Sequence, residues 1–597
     1  MQLSSFYESA IRSCTEKVRE IRQNINIISL LRLLLFAGLA WMLYSFTHGF
    51  SLTLLIVTVV MAALFIGSVN FHFRLRDELA LWEKLLYINT NESGLLSGRA
   101  NGFPDGQNWL DPDKDIDIYA DDLDIFGGAS LFHWLNRTTT SHGSAALADL
   151  LRQSLLDPDT IRQQQEAVKV LAGQADVRRL LAAKGLLSGD KNGDLHSLGA
   201  WLNTPSQLYH RKGLRIFLGV LVLYNAGAIL FWLSGNNSIP LAAGILTAWL
   251  CIGSFSRYVS RQSEGLAHKQ PILQQYADIL AVFTTADAGS SVLLQRYQAH
   301  AATAHKAIRQ LSRLASFSEQ GRNLLVNTVL NSLMCYNLQC VIALERWKSR
   351  YKKDFPHWID TVGSIECLNS LATFAFNNPE YAYPSPVAAG DDLHLAATGL
   401  AHPLIPAARR IANDFGIGRS ERLILVTGSN MSGKTTFLRT LGVNLLLAQC
   451  GAPVCATSFQ FTPMQLLTSL RISDSLQEQT SYFMAELKKL QRIVLRLRTG
   501  EPALVLIDEI LRGTNSEDKT YGSEQFARKL TGYHCLSLFA THDLTLGQLE
   551  QEYPGVIANY CFESVIEGDD LHFNYRLRQG IARNRNASFL MKKMDII

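Results

Sequence analysis

Four runs along the chain stay apolar for the length that crosses a bilayer, and the positions between them alternate apolar with polar as soluble helices and strands do. From Ile27 to Thr47 the sequence reads IISLLRLLLFAGLAWMLYSFT, and from Ser51 to Val69 it reads SLTLLIVTVVMAALFIGSV. Only His48, Gly49 and Phe50 separate the two. Ile216–Leu233 and Ile239–Ser256 repeat the arrangement around the linker SGNNS. Each run is near the roughly 20 residues that a bilayer core requires, so the pattern predicts two transmembrane helical hairpins. Arg32 lies about one turn inside the first run and can snorkel to the headgroups.

Basic residues orient these hairpins. Arg12, Lys17, Arg19 and Arg22 precede the first and Arg74 and Arg76 follow it; Arg211, Lys212 and Arg215 precede the second and Arg257 and Arg261 follow it. Neither tip carries one. Both tips are therefore expected outside and everything else in the cytoplasm, as a multi-pass protein of the cell (inner) membrane with the lipid bilayer as a partner. The competing reading makes the same runs core helices of a soluble protein.

Between the hairpins, residues 120–205 have helical spacing punctuated by LLDPDT and GDKNGD. Residues 272–355 contain no proline, and their only glycines are Gly289 and Gly321, so long helices are expected there. That stretch ends in ERWKSRYKKDF, where Arg346, Lys348, Arg350, Lys352 and Lys353 interleave with Trp347 and Tyr351. Such a cluster can meet phosphates of DNA or lipid, or simply complement its own helix dipole. Global charge does not decide between them: 56 Lys and Arg against 52 Asp and Glu leave +4. Nine scattered cysteines, without C-x-x-C or zinc-ligand spacing, fit a reducing compartment.

The candidate chemistry lies in the last third. Leu423–Val426 form a continuous apolar run typical of a buried parallel strand, followed by Gly428-Ser429-Asn430-Met431-Ser432-Gly433-Lys434-Thr435 and then KTTFLRTLGVNLLLAQ, a predicted helix that begins with Lys434, Thr435 and Thr436. This is G-x-x-x-x-G-K-S/T in strand-loop-helix context, in which backbone N–H groups and a helix start cradle the phosphates of ATP. Lys434 is expected to reach the terminal phosphates and Thr435 to hold Mg²⁺. A second apolar strand, ALVLIDE, ends in Asp508 and Glu509. Position divides their labour: Asp508 orients the magnesium shell and Glu509 polarises the attacking water. A third strand-like run, CLSLFATHD, places His542 where an imidazole can hydrogen-bond the terminal phosphate or that water.

These residues resemble the ATPase domain of the MutS family of DNA mismatch repair proteins. TGSNMSGKTTFLR, LIDEILRGTNSED, LFATHDLTLGQLE and YRLRQGIARN each resemble a family segment, and SDSLQEQTSYFMAEL is similar to its S-x-F-M-x-E signature, with Ser481, Phe483, Met484 and Glu486 in place. Upstream, residues 135–171 look like the opening of the family's helical core, and IDTVGSIECLNSLATFAF with HPLI like its exit toward the ATPase. The resemblance implies that Ser481 reaches the nucleotide of the opposite protomer, hence a homodimer with composite ATP sites, and it implies DNA as a partner. Departures are Ser429 for the family's usual proline, Thr480 for arginine and Leu511 for glycine. The family's mismatch-reading amino-terminal domain has no counterpart, because the first 26 residues lead directly into the first apolar run; Phe6-Tyr7-Glu8 imitates its wedge motif, but so does Phe317-Ser318-Glu319.

The expected fold class is an α/β P-loop ATPase domain (ABC/MutS-type), preceded by an all-α helical lever or core domain carrying two transmembrane hairpins. The layout is a cytosolic segment 1–26, hairpin 27–72, linker 73–119, first core part 120–212, hairpin 213–257, second core part 258–392 and ATPase 393–597. The function expected is a membrane-anchored MutS-like ATPase acting on DNA. The alternatives are a nucleotide-controlled tether or dimerisation module that does not act on DNA, and an ABC-type half-transporter, which the missing L-S-G-G-Q motif disfavours.

Overall fold

The apolar runs become helices much longer than the runs themselves. In the computed structural model, residues 2–47, 49, 51–99, 101–110, 119–187, 195–266, 268–321, 324–388, 392–418, 420–429, 431–471, 482–511, 515–567 and 570–582 are described. Helices α1 (Gln2–Ser45) and α2 (Leu52–Leu96) form one antiparallel pair, α8 (Lys212–Leu233) and α9 (Ile239–Glu264) another. These four are long and apolar enough to cross a membrane, and their apolar stretches are largely unburied, with Trp41 71% and Leu223 75% exposed. Residues 73–96, expected as the start of a linker, instead continue α2. No proline interrupts them, the first glycine is Gly94, and Leu75, Ile88 and Leu95 are buried at helical spacing.

The helical body comprises α3 (Leu131–Leu135), α4 (Ser141–Arg152), α5 (Pro158–Ala172), α6 (Ala175–Leu187), α7 (Leu195–Asn203), α10 (Gln270–Phe283), α11 (Val292–Gln320), α12 (Leu324–Met334), α13 (Tyr336–Tyr351) and α14 (Phe355–Asn377). Local chemistry sets its boundaries. Asp157 caps α5 by accepting from Thr160 N at 2.8 Å with Pro158 in the first turn, which is how the loop signal LLDPDT acts. Cys335, at φ 49°, separates α12 from α13.

Buried charge joins distant parts of this body. Glu366 on α14 accepts from Thr139 N (2.9 Å), Thr140 N (3.1 Å) and both threonine hydroxyls, so a carboxylate sits at the amino-terminal end of α4. A Cβ on Gly143 would lie 2.1 Å from Glu366 Oε2, so only glycine fits there. Glu92 on α2 pairs with Arg137 and accepts from Asn377 on α14 at 2.7 Å, and Tyr7 on α1 donates to the same Asn377 at 2.7 Å. The first hairpin's stem is thereby attached to α14.

Past α14 the chain turns to β-structure. A four-stranded sheet in the order β1-β5-β2-β3 comprises Ser385–Pro386, Ser458–Phe461, His394–Leu400 and Asn413–Gly418. A six-stranded sheet in the order β10-β9-β4-β8-β7-β6 comprises Asp570–Gln579, Ile557–Glu567, Leu423–Gly428, Cys535–Thr541, Ala503–Asp508 and Gln465–Ser469. All its pairs are parallel except β10 with β9. Helices α15 (Lys434–Gln449), α16 (Tyr482–Leu497) and α17 (Ser516–Leu530) accompany it, with a short α18 (Leu549–Glu552). The mostly helical first part followed by an α/β part agrees with the fold class expected from sequence.

Removing the Glu366 carboxylate would leave two N–H groups and two hydroxyls without their acceptor. Glu366→Ala is therefore expected to cost about 2–4 kcal/mol, read as a thermal midpoint several degrees lower for the detergent-solubilised chain; an unchanged midpoint would contradict this account of the α4–α14 junction.

Candidate functional site

Strands β4, β7 and β8 consist entirely of buried residues, and this lets them occupy the middle of the sheet. Their register is the origin of the site. Thr427 pairs with Thr541 and Asp508 with Ala540, so the three strands end level and Gly428, Asp508 and His542 leave the sheet along one edge. Carboxyl ends of parallel strands are where open α/β sheets bind ligands.

The loop after β4 turns through two left-handed residues, Met431 (φ 66°) and Gly433 (φ 105°). Gly433 is the N-cap of α15, so the amino end of a 16-residue helix points into the loop. Lys434 is buried; its Nζ donates to Gly428 O (2.8 Å) and Ser429 O (3.1 Å) and lies 3.4 Å from His542 Nδ1. Thr435 Oγ1 donates to Asp508 Oδ2, and His542 Nε2 meets Glu509 Oε1. The structure thus brings Gly428, Ser429, Met431, Ser432, Gly433, Lys434, Thr435, Asp508, Glu509 and His542 together, with Thr436 exposed one residue along α15. Asn430 and Ser481 lie outside the described residues.

A magnesium nucleotide fits this arrangement. The hydroxyl of Thr435 and the carboxylate of Asp508 are the hard oxygen donors such a cation takes alongside phosphate oxygens. Ser432 Oγ is buried within the loop and has no hydrogen-bond partner among the described residues, so it has a donor free for a phosphate oxygen. Glu509 holds φ at 45°, an uncommon conformation for a non-glycine residue, with its N–H on Ala540 O at 3.0 Å. That turn carries its carboxylate back toward the imidazole.

Several residues around the site escaped the reading of the sequence. Tyr575 on β10, at φ 51°, lies against the phosphate loop: a Cβ on Gly433 would be 3.0 Å from its ring. Glu486, fully buried, accepts from Leu511 N at 2.8 Å and so links α16 to the turn after β7. Leu511, where the resembling family has glycine, keeps a positive φ of 60°. The largest omission is Asp122. Its fully buried carboxylate accepts from Thr468 Oγ1 (2.6 Å), Leu470 N (3.0 Å), Arg471 N (2.9 Å) and Lys489 Nζ (2.7 Å). These donors come from both sides of residues 472–481. Neighbouring Asp124 pairs with Arg439 at 2.9 Å and Arg471 at 2.6 Å, and Leu123 packs on Gly442 of α15. His402 lies in the same field; burial, then Arg439, holds its imidazole down to about 4, so it stays neutral at pH 7. The run ADDLDIF hinted at a buried segment through its alternating Leu123 and Ile125, but nothing local names partners about 350 residues away.

Comparison with known proteins gives this geometry a lineage. The domain family described as MutS domain V matches residues 424–592. The DNA mismatch repair protein MutS of Thermotoga sp. (strain RQ2) is 32% identical over 219 residues, 36% of this chain and 27% of that protein. Its counterpart from Thermotoga maritima is 31% identical over the same length, and that from Chlorobium phaeobacteroides 32% identical over 232 residues, 37% of this chain and 26% of that protein. The match spans about a quarter of the length of these relatives. Loop, strand ends and sheet order all lie inside the matched region, which is the P-loop ATPase domain of its family, and through that domain the chain belongs to the MutS family.

Proposed function

We propose that this protein is a membrane-anchored MutS-like ATPase that binds and hydrolyses ATP at composite sites between two copies of the chain. The observation that carries the reading is the convergence of Lys434, the Thr435–Asp508 pair and the Glu509–His542 pair on one sheet edge of a MutS domain V. In this reading the backbone N–H groups of residues 428–436 and the Lys434 ammonium bind the phosphates. Thr435 and Asp508 hold Mg²⁺, which neutralises charge on the transferring phosphoryl group. Glu509 accepts a proton from the attacking water, and His542 orients that carboxylate and hydrogen-bonds the terminal phosphate. Ser481 of one copy completes the site of the other.

The same reading assigns α1–α2 and α8–α9 to the membrane as hairpins 27–72 and 213–257, with both tips outside, residues 120–212 and 258–392 as the lever, and 393–597 as the engine. Support comes from the exposed apolar surfaces and the basic flanks. DNA as the substrate rests on family kinship. With no reading domain, contacts fall on phosphates, so binding is salt-sensitive and indifferent to mismatches. Asp122 is assigned as a positioning residue: it binds both flanks of 472–481 to the helical body and so sets where Ser481 presents itself to the partner.

Three measurements test this. Glu509→Gln should bind ATP as tightly as the parent while turnover falls by a factor of about 10²–10⁴; undiminished turnover removes the proposed base. Asp122→Asn keeps the shape but not the charge facing Lys489, and should leave ATP affinity unchanged while kcat falls about tenfold to a hundredfold. A parallel loss of affinity would mean a merely structural role. Nucleotide-dependent retention of duplex DNA by the solubilised chain, followed across a salt series, should decline steeply with salt and equally for matched and mismatched duplexes. Absence of retention at low salt with intact ATPase would instead favour the membrane tether.

A further inference from the structure

A second phosphate site lies far from the nucleotide, at the foot of the second hairpin. Residues 202–206 after α7, His210, and 348–354 at the end of α13 enclose a cavity of about 500 Å³. Four of its lining residues are cations, Lys348, Arg350, Lys352 and Lys353, against one carboxylate, Asp354. This is the basic cluster in ERWKSRYKKDF.

The helix dipole accounts for only part of it. Lys348 and Arg350 stand in the last turn of α13, where cations complement the free carbonyls. Lys352 and Lys353 lie at and beyond the end of the helix and are exposed. Lys348, by contrast, is 2% exposed and serves as the floor: its Nζ donates to Thr204 O (2.9 Å), Thr204 Oγ1 (2.9 Å) and Trp201 O (3.3 Å). It fixes the 202–206 wall while keeping its charge beneath the cavity. The nearby carboxylate of Glu345 is directed elsewhere, accepting from the N–H groups of Gln207 (2.9 Å), Leu208 (2.8 Å) and Tyr209 (2.6 Å) and from Tyr258 OH. The cavity therefore keeps a net positive lining.

Its depth relative to the hairpin follows from the helices. Cys335 Sγ donates to Ala248 O, and Asn225 donates to Leu333 O at 2.8 Å, so the start of α13 lies beside the middle of both apolar runs. A helix rises about 1.5 Å per residue and half a bilayer core is about 15 Å, so Lys348 falls about 20 Å along α13, just past the hydrocarbon edge. Lys352 and Lys353 then fall among headgroups. Tyr258 on α9, which donates to Pro205 O at 3.1 Å, comes out at the interface, where tyrosine is favoured.

We propose that this cavity binds the phosphate of an anionic phospholipid headgroup from the cytoplasmic leaflet, through Arg350, Lys352 and Lys353. The inference rests on the membrane reading of α8–α9. A lipid held here touches at once the entry to α8 and the end of α13, so its presence would fix the hairpin's foot against the helical body.

The test uses the full chain in detergent, titrated with phosphatidylglycerol or phosphatidylcholine and observed by native mass spectrometry. The parent should retain phosphatidylglycerol in preference to phosphatidylcholine. The triple variant Arg350→Gln, Lys352→Gln, Lys353→Gln should retain it at least about tenfold less, given a factor on the order of five per charge near an anionic surface. All three side chains are removed from exposed positions, and unchanged ATPase in detergent would show that the variant folds. Arg74→Gln with Arg76→Gln, at the first hairpin, should behave as the parent. Equal retention by parent and triple variant overturns the proposal. Displacement of the lipid by equimolar inorganic phosphate reassigns the cavity to a soluble anion, and loss of duplex DNA retention with lipid retention intact reassigns it to nucleic acid; either refutes the lipid site. The membrane reading fails separately, if alkaline carbonate extracts the parent from vesicles without detergent.

Discussion

Level strand ends are the constraint from which the rest of the site follows. Because β4, β7 and β8 are parallel and paired without a shift, residues 80 to 115 positions apart in sequence leave the sheet on one line, and no side chain has to reach. One residue of slip would turn Asp508 toward the opposite face and separate Thr435 from its carboxylate. Complete burial of all three strands enforces the register, since a slip would also have to expose an apolar surface or bury a polar one. The positive φ of Glu509 is a local cost in the same design: the strand ends at Asp508, and only a left-handed step returns the next carboxylate to His542.

The helical body meets this site through charge rather than apolar packing alone. Asp122 and Asp124 take up Lys489, Arg471 and Arg439 from the ATPase side, and Tyr119, on the same segment, donates to Leu151 O and Arg152 O at the end of α4. The beginning of α4 is held by Glu366 of α14, and the end of α14 meets Glu92 and Tyr7 of the first hairpin's stem. A buried pair of this kind adds little net stability, but losing one partner is expensive, so each junction favours one geometry strongly. A continuous series of such junctions is the material requirement for coupling nucleotide state to the hairpin; coupling itself is a free energy that contiguity does not supply.

How much of this was legible depended on range. The phosphate loop, the carboxylates after β7 and the histidine after β8 could be read because each is a local pattern, an apolar run ending in specific chemistry. Their convergence also followed, since parallel sheets place strand ends together. The hairpins were legible from span length, but the extension of α2 through Leu96 was not: an apolar run says where lipid would begin and end, and the helix continued because Leu75, Ile88 and Leu95 found a protein surface. Asp122 was illegible for a different reason. Its meaning lies entirely in donors from β6 and α16, and no short-range signal distinguishes an acidic residue that will be buried among them from one on a solvated loop. Leu511 shows the converse, a family glycine replaced while its backbone conformation persists.

Helix α11 carries the lever past the body, and what it meets there bears on what a lever of this family could move in this chain. Its continuation, α12, packs along α8 and α9, and the amide of Asn225, buried within an apolar run, donates to Leu333 O near the end of α12. Trp249 Nε1 adds a bond to Ser332 Oγ at 3.0 Å. In an apolar surrounding neither the asparagine amide nor a helix-terminal carbonyl has water to replace its partner, so each holds the other in place. Gly244 lies so close to Asn225 that any Cβ would reach 1.8 Å from Oδ1, which keeps α8 and α9 pressed together at that level. The tip of the lever and the hairpin are thus one packed unit. A rotation of the lever cannot leave the hairpin behind, and a hairpin held by its lipid surroundings resists the lever, so load on either is felt by the other.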